Sequence, residues 1–140
     1  MSIIPEALLQ QKAEDTFVTP TIKVALFNNT GPVFDTSSDY AAVEPFLLAD
    51  GYLGYSWYEL DLQAGDFAYD GISYSFPNQT ILFGRDGTAT PLIFNGVAVI
   101  DQDQVGTNHK LIATQQSSVE LTIYTGQGAN IYIAGGYIAS

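Results

Sequence analysis

The sequence predicts an all-β protein, an antiparallel β-sandwich or jelly roll with a short N-terminal helical segment. Three observations predict it. Runs of β-branched and aromatic residues alternate with polar ones through much of the chain. Gly, Pro, Asn and Asp clusters interrupt those runs about every 8–12 residues, the punctuation of strands joined by turns. The run Leu92–Ile100 is apolar at both parities: Leu92, Phe94, Ala98 and Ile100 alternate with Ile93, Val97 and Val99. A strand of that kind is covered on both sides, as at the centre of a sandwich.

Taken in order, residues 1–16 form an N-terminal arm or short helix, and residues 17–140 a single β-sandwich domain. Helix is expected over residues 3–14, with Ser2 as cap, Pro5 in the first turn and Leu8, Leu9 and Ala13 as a stripe. Thr21–Phe27 reads as a half-buried strand, Ile22, Val24 and Leu26 on one face and Lys23 and Ala25 on the other. Ser38 or Asp39 caps a second short helix within residues 38–48, which Pro45 interrupts. From Trp57 to Leu62 the pattern alternates again. Ile72–Phe76 is a strand that Pro77–Asn78 ends, and Ile81–Phe83 is the next. Within Leu92–Ile100, Asn95–Gly96 is either a type I′ turn that makes a hairpin or a bulge in one long strand. His109–Thr114, Val119–Tyr124, with Val119, Leu121 and Ile123 on one side, and Asn130–Ile138 complete the strands. Gln115–Ser118 and Gly126–Ala129 have lengths suited to hairpin turns.

Composition narrows the function. The chain has 140 residues, enough for one core, and 46% are hydrophobic, so it can build that core. Only 14% are charged, against roughly 25% in an ordinary soluble domain. Such a surface is polar and neutral, or is partly buried against other chains. Fifteen acidic residues face four basic ones, Lys12, Lys23, Arg85 and Lys110, for a net charge of −11. That balance excludes nucleic acid and an anionic membrane surface as partners. Without cysteine there is neither a disulfide nor a thiolate metal site. The N-terminus lacks the basic and apolar regions of a signal peptide, and no run approaches the ~20 apolar residues of a membrane span.

Catalytic chemistry has little to draw on. His109 is the only histidine, and a lone histidine beside a strand is read as structural. No G-x-S-x-G elbow is present, and GQGAN at 126–130 lacks the third glycine and the helix of a dinucleotide loop. Asp61, Asp66 and Asp70 share one loop and Asp101 and Asp103 another, ligand types that suit Ca²⁺, but neither follows the EF-hand spacing. No catalytic residue, metal or cofactor is therefore expected. Two segments stand out as partner-binding. Ile3, Ile4, Leu8 and Leu9 lie ahead of the first strand, and Tyr52, Tyr55 and Trp57 concentrate aromatic rings of the kind favoured at interfaces.

The segments IKVALFNNTGPVFDTSSDYAAV, GYLGYSWYELDL, TILFG and PLIFNGVAVIDQDQ, spanning Ile22–Gln104, resemble small virion proteins of tailed bacteriophages. The resemblance implies an all-β structural subunit without catalysis, with Ile22–Phe27, Tyr40–Val43, Gly51–Tyr55 and Pro91–Gln104 defining the fold. The chain departs from the group in the heavier SWYELDL, which stands where a Gly-rich run is expected. On this reading the protein is a capsid decoration or cement subunit on the outside of the coat shell. Its partners are the phage major capsid protein and sister subunits, as a homotrimer or homodimer, with assembly in the bacterial cytoplasm. The alternative is a carbohydrate- or receptor-binding head domain of a tail fibre or adhesin, with Tyr52–Tyr58 as its platform.

Overall fold

In the computed structural model, residues 5–35, 37–51, 55–71, 73–84, 91–102, 109–124 and 128–138 are described. Ile3, Ile4, Tyr52, Ile72, Arg85, Asp86 and Asp103 lie outside them. Strands predominate, in two antiparallel sheets, with one longer helix at the N-terminus.

That helix, α1, spans Glu6–Phe17, three residues beyond the expected end. Leu9 and Ala13 are fully buried one turn apart, and Phe17 follows on the same stripe. The Phe17 ring meets Phe76 edge-on at 5.3 Å and Phe67 at 6.1 Å. The extra turn is therefore held by tertiary contact. It stops where the amides of Val18 and Thr19 both return to the Glu14 carbonyl, ahead of Pro20, which has no N–H to continue the ladder.

Strand β1 (Thr21–Phe27) lies inside a sheet of order β2-β1-β5-β6, where β2 is Tyr58–Leu60, β5 is Leu92–Gln102 and β6 is Lys110–Ile123. It pairs with β5 in unbroken register from Thr21↔Gln102 to Phe27↔Gly96. Ile22, Val24 and Leu26 enter the main core, as expected. Ala25 does not share a wet face with Lys23. It is buried with Phe27, Val43, Ala98 and Ile100 in a smaller core on the opposite side of the sheet. Residues 28–50 provide the cover, through Phe34, Tyr40, Phe46 and Leu47. Within that cover α2 (Tyr40–Val43) is capped by Asp39, whose Oδ1 accepts from the Ala42 amide at 3.0 Å. A 3₁₀ turn follows at Glu44–Phe46, so Pro45 changes the helix type where an interruption was expected.

The second sheet has the order β3-β4-β7, with β3 at Ala68–Tyr69, β4 at Ser73–Gly84 and β7 at Gly128–Ile138. Pro77–Asn78 does not end a strand. It is a register irregularity in one long β4, between the pairs Phe76↔Gly135 and Gln79↔Ile133. Asn95–Gly96 likewise is no hairpin turn. It lies inside continuous β5, where pairing with β6 jumps from Phe94↔Leu121 to Gly96↔Gln116. The same jump removes the turn expected at Gln115–Ser118. Residues 117–120 leave the ladder while β6 runs on, and of Val119, Leu121 and Ile123 only Ile123 is buried.

β4 runs antiparallel to β7 and β5 to β6, so each sheet contains one two-stranded ribbon. The main core joins the two sheets. It gathers Ile81 and Phe83 of β4 with Leu92 and Phe94 of β5, Ile123 of β6 and Leu9 of α1. Burying each such side chain contributes roughly 1.5–3 kcal/mol.

Candidate binding surfaces

The aromatic segment is built as an internal clasp. β2 pairs with β1 only as far as Val24↔Tyr58, so the Leu26 amide has no ladder partner there. Tyr55 supplies one: its phenol oxygen accepts from Leu26 N at 2.7 Å. The ring is fully buried, 5.7 Å from Phe83. Burial pushes the phenol pKa well above its usual value; the bond from Leu26 offsets part of that rise, and the Asp50 carboxylate adds a smaller one. Trp57 donates its indole N–H to the Leu48 carbonyl at 2.8 Å, and its backbone amide to Asp50 Oδ1 at 2.9 Å. Gly51, at φ +87°, donates to the Tyr55 carbonyl. A residue with a Cβ would be strained in that left-handed turn. Tyr55 and Trp57 thus spend their polar groups inside the chain's own fold, and Tyr58 is the more open ring among the described residues of this segment.

At the N-terminus the two leucines part. Leu9 packs in the chain's own core, whereas Leu8 is 42% exposed. Larger apolar exposure lies on and just beyond the two ribbons: Leu82 is 65% exposed, Val119 62% and Tyr124 58%, with Leu121 and Ile93 also open. The sequence had pointed to Val119 and Leu121 as one face of a strand, but only their alternation was legible, not its outward direction.

A polar cleft of about 500 Å³ opens where residues 117–120 leave the ladder opposite the loop 29–33. Its floor is an exchange of amides. Asn29 N donates to Asn95 Oδ1 at 2.9 Å, and Asn95 Nδ2 donates to the Asn29 carbonyl at 2.6 Å. This reproduces a β-ladder pair with a side chain in place of one strand. Asn29 Nδ2 reaches the Pro32 carbonyl at 2.8 Å and Gln116 Oε1 at 3.3 Å, and Asn29 Oδ1 accepts from Gly31 N. Asn29 and Asn95 are 3% and 8% exposed. Sequence reading placed Asn29 in a loop and Asn95 in either a turn or a bulge, and missed their pairing, since 66 positions separate them and no local pattern signals it.

His109 meets the Tyr40 ring edge-on at 5.1 Å, which ties the cover segment to the start of β6. Asp61 and Asp66 serve their own loop: Asp66 Oδ2 accepts from Gln63 N and Asp61 Oδ1 from Gln63 Nε2. Among the described residues no group of three or more His, Asp or Glu side chains is placed to hold a metal, and no helix is long and apolar enough to cross a membrane. Comparison with protein families, with characterised proteins and with solved structures returned no match.

Proposed function

We propose that this protein is a non-enzymatic structural subunit of a tailed-phage virion, a capsid decoration or cement protein on the outside of the coat shell. The observation that carries the reading is that large apolar side chains such as Leu82, Ile93, Val119, Leu121 and Tyr124 stand exposed in a chain with so few charges. Covering such side chains with another chain removes apolar area from water. Two sheets that share one core support a sandwich or jelly roll as the finer description of the fold. The resemblance of Ile22–Gln104 to small phage virion proteins supplies the particle. The partners are the major capsid protein and sister subunits, as a homotrimer or homodimer. The acidic surface complements basic patches on a coat and steers association. Within the N-terminal arm, Leu8 is the described residue left open to a partner.

The alternative, a glycan- or receptor-binding tail head that uses Tyr52–Tyr58 as a platform, draws less support. Tyr55 is buried and Trp57 is tied inward.

Quantitative mass spectrometry of purified virions tests the assignment. A copy number comparable with that of the major capsid protein is expected. A few copies per particle, or none, would overturn it.

A further inference from the structure

We infer that the cleft between the loop 29–33 and residues 117–120 binds a neutral saccharide unit. This site is built from other residues than the aromatic segment, and the inference needs no particular place in a virion. The space, about 500 Å³, lies within the range of small-ligand pockets. Its floor is preorganised, because the amides of Asn29, Asn95 and Gln116 hold one another through bonds of 2.6–3.4 Å. A floor that need not rearrange loses little on binding.

Capacity remains on that floor. A side-chain amide offers two donors and two acceptor lone pairs. Asn95 gives one proton to the Asn29 carbonyl and takes one from the Asn29 amide, which leaves one donor and one acceptor position. The hydroxyls of Thr30 and Ser118 and the carboxylate of Glu120 line the rim, with Val33 as an apolar flank. The lining therefore mixes donors and acceptors.

The ligand class follows from what matches this mixture. A sugar hydroxyl both donates and accepts, so it suits an amide floor and hydroxyl rim. The Glu120 carboxylate can accept from two vicinal hydroxyls at once. Among the described residues an anionic ligand meets no lysine, arginine or histidine in the lining and one carboxylate, Glu120, in a chain of net charge −11. An apolar ligand would strip water from the remaining amide positions without replacing their hydrogen bonds.

The test is an NMR titration of the intact ¹⁵N-labelled protein with glucose, galactose, mannose and N-acetylglucosamine, and with inorganic phosphate and neuraminic acid as anionic probes. At least one neutral sugar should give saturable shifts in the Asn29 and Asn95 side-chain amides and in the backbone of residues 117–120. Glu120→Gln, on an exposed side chain, should weaken that binding about tenfold. Ser118→Ala should weaken it less. The inference is overturned if no neutral sugar gives saturable shifts, or if the shifts fall elsewhere. Unchanged binding in both variants, or stronger binding of an anionic probe, overturns it as well. Copy number in virions tests the shell assignment separately, so either reading can fail alone.

Discussion

The irregularities at Asn95–Gly96 in β5 and at Pro77–Asn78 in β4 do the same geometric work by different means. Each reverses the parity of the residues that face the main core. Leu92 and Phe94 point inward before the first, Val97 and Val99 after it. Phe76 points inward before the second, Ile81 and Phe83 after it. In β4 the cause lies in the covalent chain, since Pro77 has no N–H to give to β7. In β5 the cause is tertiary. Asn95 is engaged by the backbone of Asn29, and Gly96 sits against the Phe27 ring, where a Cβ would come within 2.6 Å of three ring carbons. The contrast teaches that a bulge written into the backbone is locally secured, whereas a bulge held by distant partners is only as secure as those partners.

Substitutions can break that contrast. The largest effect is expected from Gly96→Ala. The Phe27 ring is fully buried and has no room to retreat, so the overpacking should cost about 3 kcal/mol. Urea denaturation would measure it, and an unchanged midpoint would mean that the ring does not lie over Gly96. Asn95→Ala comes next. It leaves the buried Asn29 amide without a partner and the Asn29 carbonyl with only the longer bond from Gln116 Nε2, at a cost of about 2 kcal/mol. In a double-mutant cycle Asn95→Ala and Gln116→Ala should be non-additive, because both amides contact Asn29.

Tyr55 sharpens the comparison, since it too is a side chain standing in for a missing strand. Tyr55→Phe should cost about 1–2 kcal/mol by orphaning the Leu26 amide. It also predicts a pH dependence. The folded phenol holds its proton more tightly than the unfolded one, whose ordinary pKa is 10.0. Stability from this group is complete below that value and is lost as pH rises above it, by up to about 1.4 kcal/mol per pH unit. Denaturation midpoints from pH 9 to 11 should fall less steeply in Tyr55→Phe than in the wild type. The smallest effect is expected for Pro77→Ala, within about 1 kcal/mol. If it costs as much as Asn95→Ala, Pro77 does more at the β4 bulge than withhold an N–H, and the contrast fails.

Legibility in the sequence followed the range of the interaction. Ile22, Val24 and Leu26 announced an inward face because one strand's alternation is local. The pair Ser38 and Asp39 announced the start of the short helix for the same reason, whereas Pro45, expected to interrupt it, changes it to a 3₁₀ turn. The double-sided run Leu92–Ile100 correctly marked a central strand, but the grouping of its residues by face was wrong beyond Asn95, since one bulge inverts all that follows. Ala25 was assigned to a wet face because its cover is a loop that no periodicity marks. The floor of the cleft was hidden most completely. Asn29 and Asn95 each look like turn residues, and only the fold brings them together. Of the partner-binding candidates, the leucine pair could not be separated by sequence. Which of Leu8 and Leu9 turns inward depends on where α1 docks.

The pairing of β1 with β5 also sets an order of completion during synthesis. The strand that completes β1 begins only at Leu92, long after β1 ends at Phe27. Until then Ile22–Phe27 is an apolar strand with one short possible neighbour, β2. β5 can close on β6 before β7 has been made, while β4 waits for β7. Folding of this kind is dominated by distant contacts and is correspondingly slow. The nascent chain therefore passes through a long interval in which its most adhesive strand is uncovered, and high-level production should depend on chaperone supply and on lowered temperature.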